Sequence, residues 1–126
     1  MLVWMGKRVT GIPVTSMSHN QLVHISTEMT LHFCPPTIPQ ASGVLDFVTS
    51  VASLYKNNPY HNFRHAVDVT AATYSFLCNL PAMESMPPRL KSTLLLAAIC
   101  HDMAHPGVNN KYVGETWEQP RWDPEL

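Results

Sequence analysis

Four of the seven histidines stand in two short runs. One is Tyr60-His61-Asn62-Phe63-Arg64-His65-Ala66-Val67-Asp68, and the other is His101-Asp102-Met103-Ala104-His105-Pro106-Gly107-Val108-Asn109-Asn110. Imidazole and carboxylate are the ligands that hydrolytic zinc, manganese and magnesium use. Residues four apart on a helix share a face, so the spacing predicts that His61 and His65 converge on one point and that His101 and His105 do the same. An adjacent His-Asp pair can hold one cation and bridge to a second. Two bridged cations suit phosphoester hydrolysis, because they generate a hydroxide nucleophile and screen charge on the phosphoryl oxygens.

Each pair by itself has a bland reading, as a solvated or helix-capping pair of histidines. Two clusters on helical segments, one of them emerging from an apolar run, favour a metal site. His19, His24 and His32 lie in weakly patterned sequence and read as ordinary surface or core residues. Asp68 reads as a helix-face hydrogen-bond partner, and Met83, Met86 and Met103 read as packing or loop residues.

The elements that must position these groups are helical. The strongest pattern runs over about 89–104, where Leu94-Leu95-Leu96-Ala97-Ala98-Ile99-Cys100 is apolar on every side and predicts a helix inside a protein. Ala66, Val69, Ala72, Tyr74, Phe76 and Leu77 predict a helix over about 61–80. Pro81, Pro87 and Pro88 then bracket a loop. Val44, Leu45, Phe47, Val48, Val51, Leu54 and Tyr55 predict another helix, with Ser42 as its N-cap and Asn57-Asn58-Pro59 as its end. Upstream, Leu22, Val23, Ile25, Met29 and Leu31 allow a helix over 20–33, against a β-branched content that disfavours it. Pro35, Pro36 and Pro39 break the chain there. The expectation is an all-α fold in three parts: a poorly patterned segment over 1–39, a helical unit over 40–113, and an irregular tail over 114–126.

Composition narrows the function. The 126 residues carry a formal charge of −1, with 45 % hydrophobic and 13 % charged residues. That is too apolar for intrinsic disorder, and there is no basic excess to suggest a nucleic-acid partner. So few charges suit a segment that packs against more protein. Cys34, Cys78 and Cys100 are widely spaced and odd in number, which argues against a disulfide scaffold and for a reducing, cytoplasmic setting. The apolar run at 94–100 is far shorter than the ~20 residues of a membrane span.

The two histidine runs together resemble the catalytic domain of the class I cyclic nucleotide phosphodiesterases. Tyr55-Lys56-Asn57-Asn58-Pro59-Tyr60-His61-Asn62-Phe63-Arg64-His65-Ala66-Val67-Asp68-Val69 is similar to that family's first block. His101-Asp102-Met103-Ala104-His105-Pro106-Gly107-Val108-Asn109-Asn110 is similar to its signature of His-Asp, an apolar residue, then His and Asn. The resemblance covers roughly 40–113 and implies an HD-type helical bundle acting on cyclic AMP or cyclic GMP. It implies that His61 is the general acid toward the leaving 3′ oxygen, and that His65 and His101 are ligands of a tightly held zinc. Asp102 is then the carboxylate shared with a second ion, magnesium or manganese. His105 lies beside that ion's water shell, and Tyr60 and Asn110 line the pocket. Where many members have an acidic residue, this chain has Ala104. The bare His-Asp pair would also fit another metal phosphohydrolase, but the Asn-Pro-Tyr-His-Asn-Phe-Arg-His block is more particular.

The family domain runs on for roughly two hundred further residues. It uses there another aspartate ligand, a glutamine on the purine and a stacking aromatic residue. The expectation is therefore a truncated chain with little activity by itself and with uncovered apolar faces. The alternative is a non-catalytic form that associates with other phosphodiesterase chains.

Overall fold

In a computed structural model, residues 12–34 and 41–108 are described. They form four α-helices and two short 3-10 turns: α1 (His19–Phe33), α2 (Ala41–Ser53), α3 (Phe63–Asn79) and α4 (Pro88–Cys100), with the turns at Val14–Ser16 and Pro81–Met83. Among the described residues there is no strand. The fold is all-α, as expected.

α1 is the hub and packs against α2, α3 and α4. It begins at a capping box: the Ser18 hydroxyl accepts from the Gln21 N–H, and the Gln21 side-chain oxygen accepts from the Ser18 N–H at 2.8 Å. Two orphan N–H groups are satisfied reciprocally. Its buried face mixes Leu22, Val23, Ile25 and Met29 with Ser26, Thr27 and Thr30. The three hydroxyls donate to Leu22, Val23 and Ser26 carbonyls one turn back, at 2.8–2.9 Å. A hydroxyl bonded within its own helix buries without an unmet partner. That is why a stretch with a poor hydropathy pattern sits at the centre of the core.

α2 opens at Ala41, so Ser42 lies inside its first turn rather than capping it. It ends at Ser53, ahead of Asn57-Asn58-Pro59. Val48, Val51 and Ala52 are buried, while Leu45, Phe47 and Leu54 are exposed. α3 begins two residues later than the periodicity predicts: Asn62 is the N-cap, its side-chain oxygen accepting from the His65 N–H at 3.0 Å. Phe63, Ala66, Val67, Thr70, Ala71, Tyr74 and Leu77 form its buried stripe. One Arg64 Nη1 donates to the carbonyls of Val14 and Met17, at 2.8 Å for Met17, and ties the first 3-10 turn to the start of α3.

α4 departs most from expectation. It stops at Cys100 instead of Ala104, and only Ser92, Leu95 and Ile99 are buried. Leu90 and Leu94 are 48 % and 38 % exposed. An all-round apolar helix buries only the stripe its neighbours cover, here 92, 95 and 99. The 81–83 turn and the Pro87-Pro88 start return α4 antiparallel along α3, against which it packs. This brings the end of α4 back to the start of α3, where His65 stands.

Candidate metal centre

The first helical turn of α3 and the turn following α4 together make the site. His65 is the third residue of α3, held there by the Asn62 cap. His101 is the C-cap of α4, and residues 101–104 form a turn. The side chains of His65, His101 and Asp102 come together: His65 Nε2 is 3.4 Å and His101 Nε2 3.1 Å from the same Asp102 Oδ2. All three donor atoms lie within 4.8 Å of one another. His65 and Asp102 are half-buried, and His101 is exposed.

The hydrogen bonds define what these atoms can do. His101 Nδ1 lies 2.6 Å from the Ala98 carbonyl oxygen. A carbonyl oxygen only accepts, so Nδ1 carries the proton and Nε2 of the neutral ring presents a lone pair. That lone pair faces a carboxylate oxygen. Two acceptors at this distance are reconciled by a positive species between or on them, a proton or a metal cation. An imidazole anchored through its far N–H to a backbone carbonyl is also how metal-bound histidines are usually held. Ligand bonds of roughly 2.1 Å in a tetrahedral array place neighbouring donor atoms about 3.4 Å apart. The contacts to Asp102 match that spacing, so the donor set fits a divalent cation.

The remaining predicted residues surround this group without joining it. His61 precedes the N-cap, so it does not share a helical face with His65. It stacks instead on His105, with ring centroids 3.9 Å apart and planes at 12°, and its edge meets His65 at 5.8 Å. His105 likewise lies beyond the end of α4, off any face shared with His101. His105 Nδ1 accepts from the Gly107 N–H at 2.9 Å, which places the proton of the neutral ring on Nε2. Tyr60 is 64 % exposed and leans over His65 with ring centroids 4.6 Å apart. Asn110 and the 114–126 tail lie outside the described residues. Asp68 stands exposed on α3.

The residues that the sequence did not flag are those that shape the loops. Tyr55, counted there as an apolar helix residue, donates its hydroxyl to the Ile99 carbonyl at 2.7 Å and accepts from the Asp102 N–H at 3.2 Å. Burial pushes this phenol above the usual tyrosine range. Asn58 Nδ2 donates to the carbonyls of His61 (3.0 Å) and His105 (2.8 Å), clamping the two loops that bear the stacked imidazoles. Gly107, at φ +82°, passes so close to Asn58 that a Cβ there would lie 2.7 Å from Asn58 Oδ1. The Asn57-Asn58-Pro59 run was the available signal, because asparagines before a proline commonly order a turn through their side chains. A cleft of about 270 Å³ bordered by Tyr55, Lys56 and Arg64 includes none of the three donors.

Residues 60–119 match the family of the 3'5'-cyclic nucleotide phosphodiesterases. The chain is 38 % identical over 71 residues to a protein of Dictyostelium discoideum named cGMP-specific 3',5'-cGMP phosphodiesterase 3, covering 56 % of this chain and 15 % of that one. It is 52 % identical over 60 residues to a mouse (Mus musculus) protein, the high affinity cGMP-specific 3',5'-cyclic phosphodiesterase 9A, covering 46 % and 11 %. A 3',5'-cyclic-AMP phosphodiesterase, isoform F, of Drosophila melanogaster is 41 % identical over 71 residues, covering 55 % and 11 %. In each case the matched segment is a small fraction of the relative's length.

Proposed function

We propose, from the match of residues 60–119 to the 3'5'-cyclic nucleotide phosphodiesterase family, that this chain carries the cation-holding part of a site that opens a cyclic nucleotide to its 5′-monophosphate. The observation behind this reading is the meeting of His65, His101 and Asp102 within one 4.8 Å group. These three residues would hold a divalent ion, zinc being the best match to two imidazoles and one carboxylate. When bound, such an ion supplies charge neutralisation at the phosphoryl group and lowers the pKa of a water.

The protein groups around it have assignable tasks. His61, outside the donor triad but edge-on to His65, is positioned to give a proton to the leaving 3′ oxygen. His105 stacks on His61 and limits the plane in which that ring can turn. Tyr60 shields the triad from one side. A second ion, magnesium or manganese, would share Asp102, and among the described residues no further carboxylate joins the donor group. The described residues thus supply one cation site. The relatives' names include cGMP-specific and cyclic-AMP enzymes, so the substrate reading stays at cyclic nucleotide. Among the described residues, no helix is long and apolar enough to cross a membrane.

A second reading has its own observation. Leu90 and Leu94 on α4 and Phe76 and Leu80 at the end of α3 are exposed, and apolar surface of this kind suits association with another phosphodiesterase chain. The test of the first reading is zinc titration of the full chain followed by cyclic AMP and cyclic GMP hydrolysis with added zinc and magnesium. Stoichiometric zinc binding that disappears in Asp102→Ala is expected. Zinc binding that is absent, or indifferent to that substitution, refutes the reading. Turnover that is abolished by His61→Ala would support the proton-donating role of His61.

A further inference from the structure

Asp102 reaches both imidazoles because α4 stops two residues before it. In an unbroken helix the Asp102 N–H would donate to the Ala98 carbonyl, and the Ile99 carbonyl would accept from the Met103 N–H. Neither bond is made. The Ala98 carbonyl accepts from the His101 N–H at 3.4 Å and from His101 Nδ1 at 2.6 Å, while the Met103 N–H donates to Cys100 at 3.2 Å. One atom meets both orphaned groups: the Tyr55 hydroxyl donates to Ile99 and accepts from Asp102. A side chain inserted into the i to i−4 ladder is a recognised cause of a helix break. The neighbouring Leu54 carbonyl accepts from the Ala104 N–H at 3.1 Å, holding the released turn in place, and Ala104 takes up a left-handed φ of 58°.

We propose that Tyr55 is a positioning residue for the metal centre: its hydroxyl, wedged between the Ile99 carbonyl and the Asp102 N–H, ends α4 and aims the Asp102 carboxylate at His65 and His101. Without the hydroxyl the two backbone groups regain partners by continuing the helix. Continuation rotates Asp102 about the α4 axis and takes its carboxylate off the line to His65. The placement of Asp102 follows from the hydrogen bonds alone; only the consequence for metal affinity rests on the function proposed above.

The test is Tyr55→Phe in the full chain, which keeps the ring and its packing on Phe63 (centroids 5.8 Å apart) and removes one oxygen. Two quantities are read: the 13Cα shifts of residues 102–104, and the zinc dissociation constant by calorimetry. The shifts should move to helical values, and the zinc constant should rise roughly 10- to 100-fold, the usual effect of losing an outer-shell support. Val51→Ala, which removes buried apolar volume and no hydrogen bond to the turn, should change neither. Shifts at 102–104 that stay put in Tyr55→Phe, or a zinc constant within twofold of the unsubstituted chain, overturn the proposal. If the unsubstituted chain binds no zinc, the cation reading of the triad falls, and the backbone shifts decide the role of Tyr55.

Discussion

Replacing Gly107 with alanine probes the clamp that holds the two histidine loops together. The backbone there sits at φ +82°, and an L-residue in the left-handed region costs about 1–2 kcal/mol. The new Cβ would also lie 2.7 Å from Asn58 Oδ1 and 2.9 Å from Asn58 Cγ. Asn58 can yield only by giving up its bonds to the His61 and His105 carbonyls. Two hydrogen bonds at a net ~0.5–1.5 kcal/mol each add about 1–3 kcal/mol. The single substitution should therefore lower stability by roughly 2–5 kcal/mol. In an Asn58→Ala background the steric part is already gone, and Gly107→Ala should cost only the backbone part, about 1–2 kcal/mol. The assay is thermal unfolding of the four proteins of the double-mutant cycle, followed by circular dichroism. With about 2.1 cal/mol/K of unfolding entropy per residue, this chain shifts its midpoint by roughly 4 °C per kcal/mol. The coupling should then appear as a non-additivity of roughly 4–11 °C. Amide exchange at Ala104 and His105 reports any part of the change absorbed by local opening of the turn. Effects that add to within about 0.5 kcal/mol would refute the clamp.

Three other outcomes follow from the same geometry. Ala104→Gly relieves the left-handed φ of 58° while keeping the N–H bond to Leu54; urea unfolding should show a gain of roughly 1 kcal/mol. Leu95→Ala empties a fully buried position on the covered stripe of α4 and should lower unfolding free energy by about 2–5 kcal/mol, with the larger values if the cavity fails to collapse. Stability should decline at alkaline pH. Burial, with the neighbouring Cys78 second, pushes the Tyr74 hydroxyl above the usual tyrosine range. This raised folded pKa leaves its stabilisation intact below about pH 10, where the unfolded phenol is also neutral, and removes it as pH rises further. Burial also raises the Cys34 and Cys100 thiols, so the decline begins near pH 9. In urea titrations from pH 8 to 11, Tyr74→Phe should flatten the steeper part above pH 10.

Much of the site was legible in the sequence, and the way it was misread is instructive. The spacing of His61 with His65, and of His101 with His105, suggested two helical faces. In the structure only His65 lies within a helix, and the other three histidines stand on loops or at a helix end. Periodicity carried α4 on to Ala104 because the apolar run from Leu94 to Cys100 contains no glycine or proline; nothing local to 100–104 announces the break. The break comes from Tyr55, 47 residues away from Asp102 in sequence. α1 shows the opposite error. Ser26, Thr27 and Thr30 count as polar in any hydropathy pattern, yet each hydroxyl bonds back to its own helix and is buried. The Ser18-x-x-Gln21 capping box was the local mark of that helix.

The chain alone determined the class of residue available for chemistry. Imidazoles and a carboxylate in two clusters set the metal reading, apolar recurrence set an all-α fold, and prolines set where helices must stop or start. Those are local properties, carried by side-chain type and by periods of three to four residues. Which groups share a donor cluster and which stack beside it was decided only in three dimensions. The antiparallel return of α4 along α3 brings Asp102 to His65, the Tyr55 hydroxyl reaches residues 44 and 47 positions away, and Asn58 reaches the His105 carbonyl 47 positions away. Such pairings depend on which backbone groups are left without partners once the helices pack, and no window of sequence contains that information.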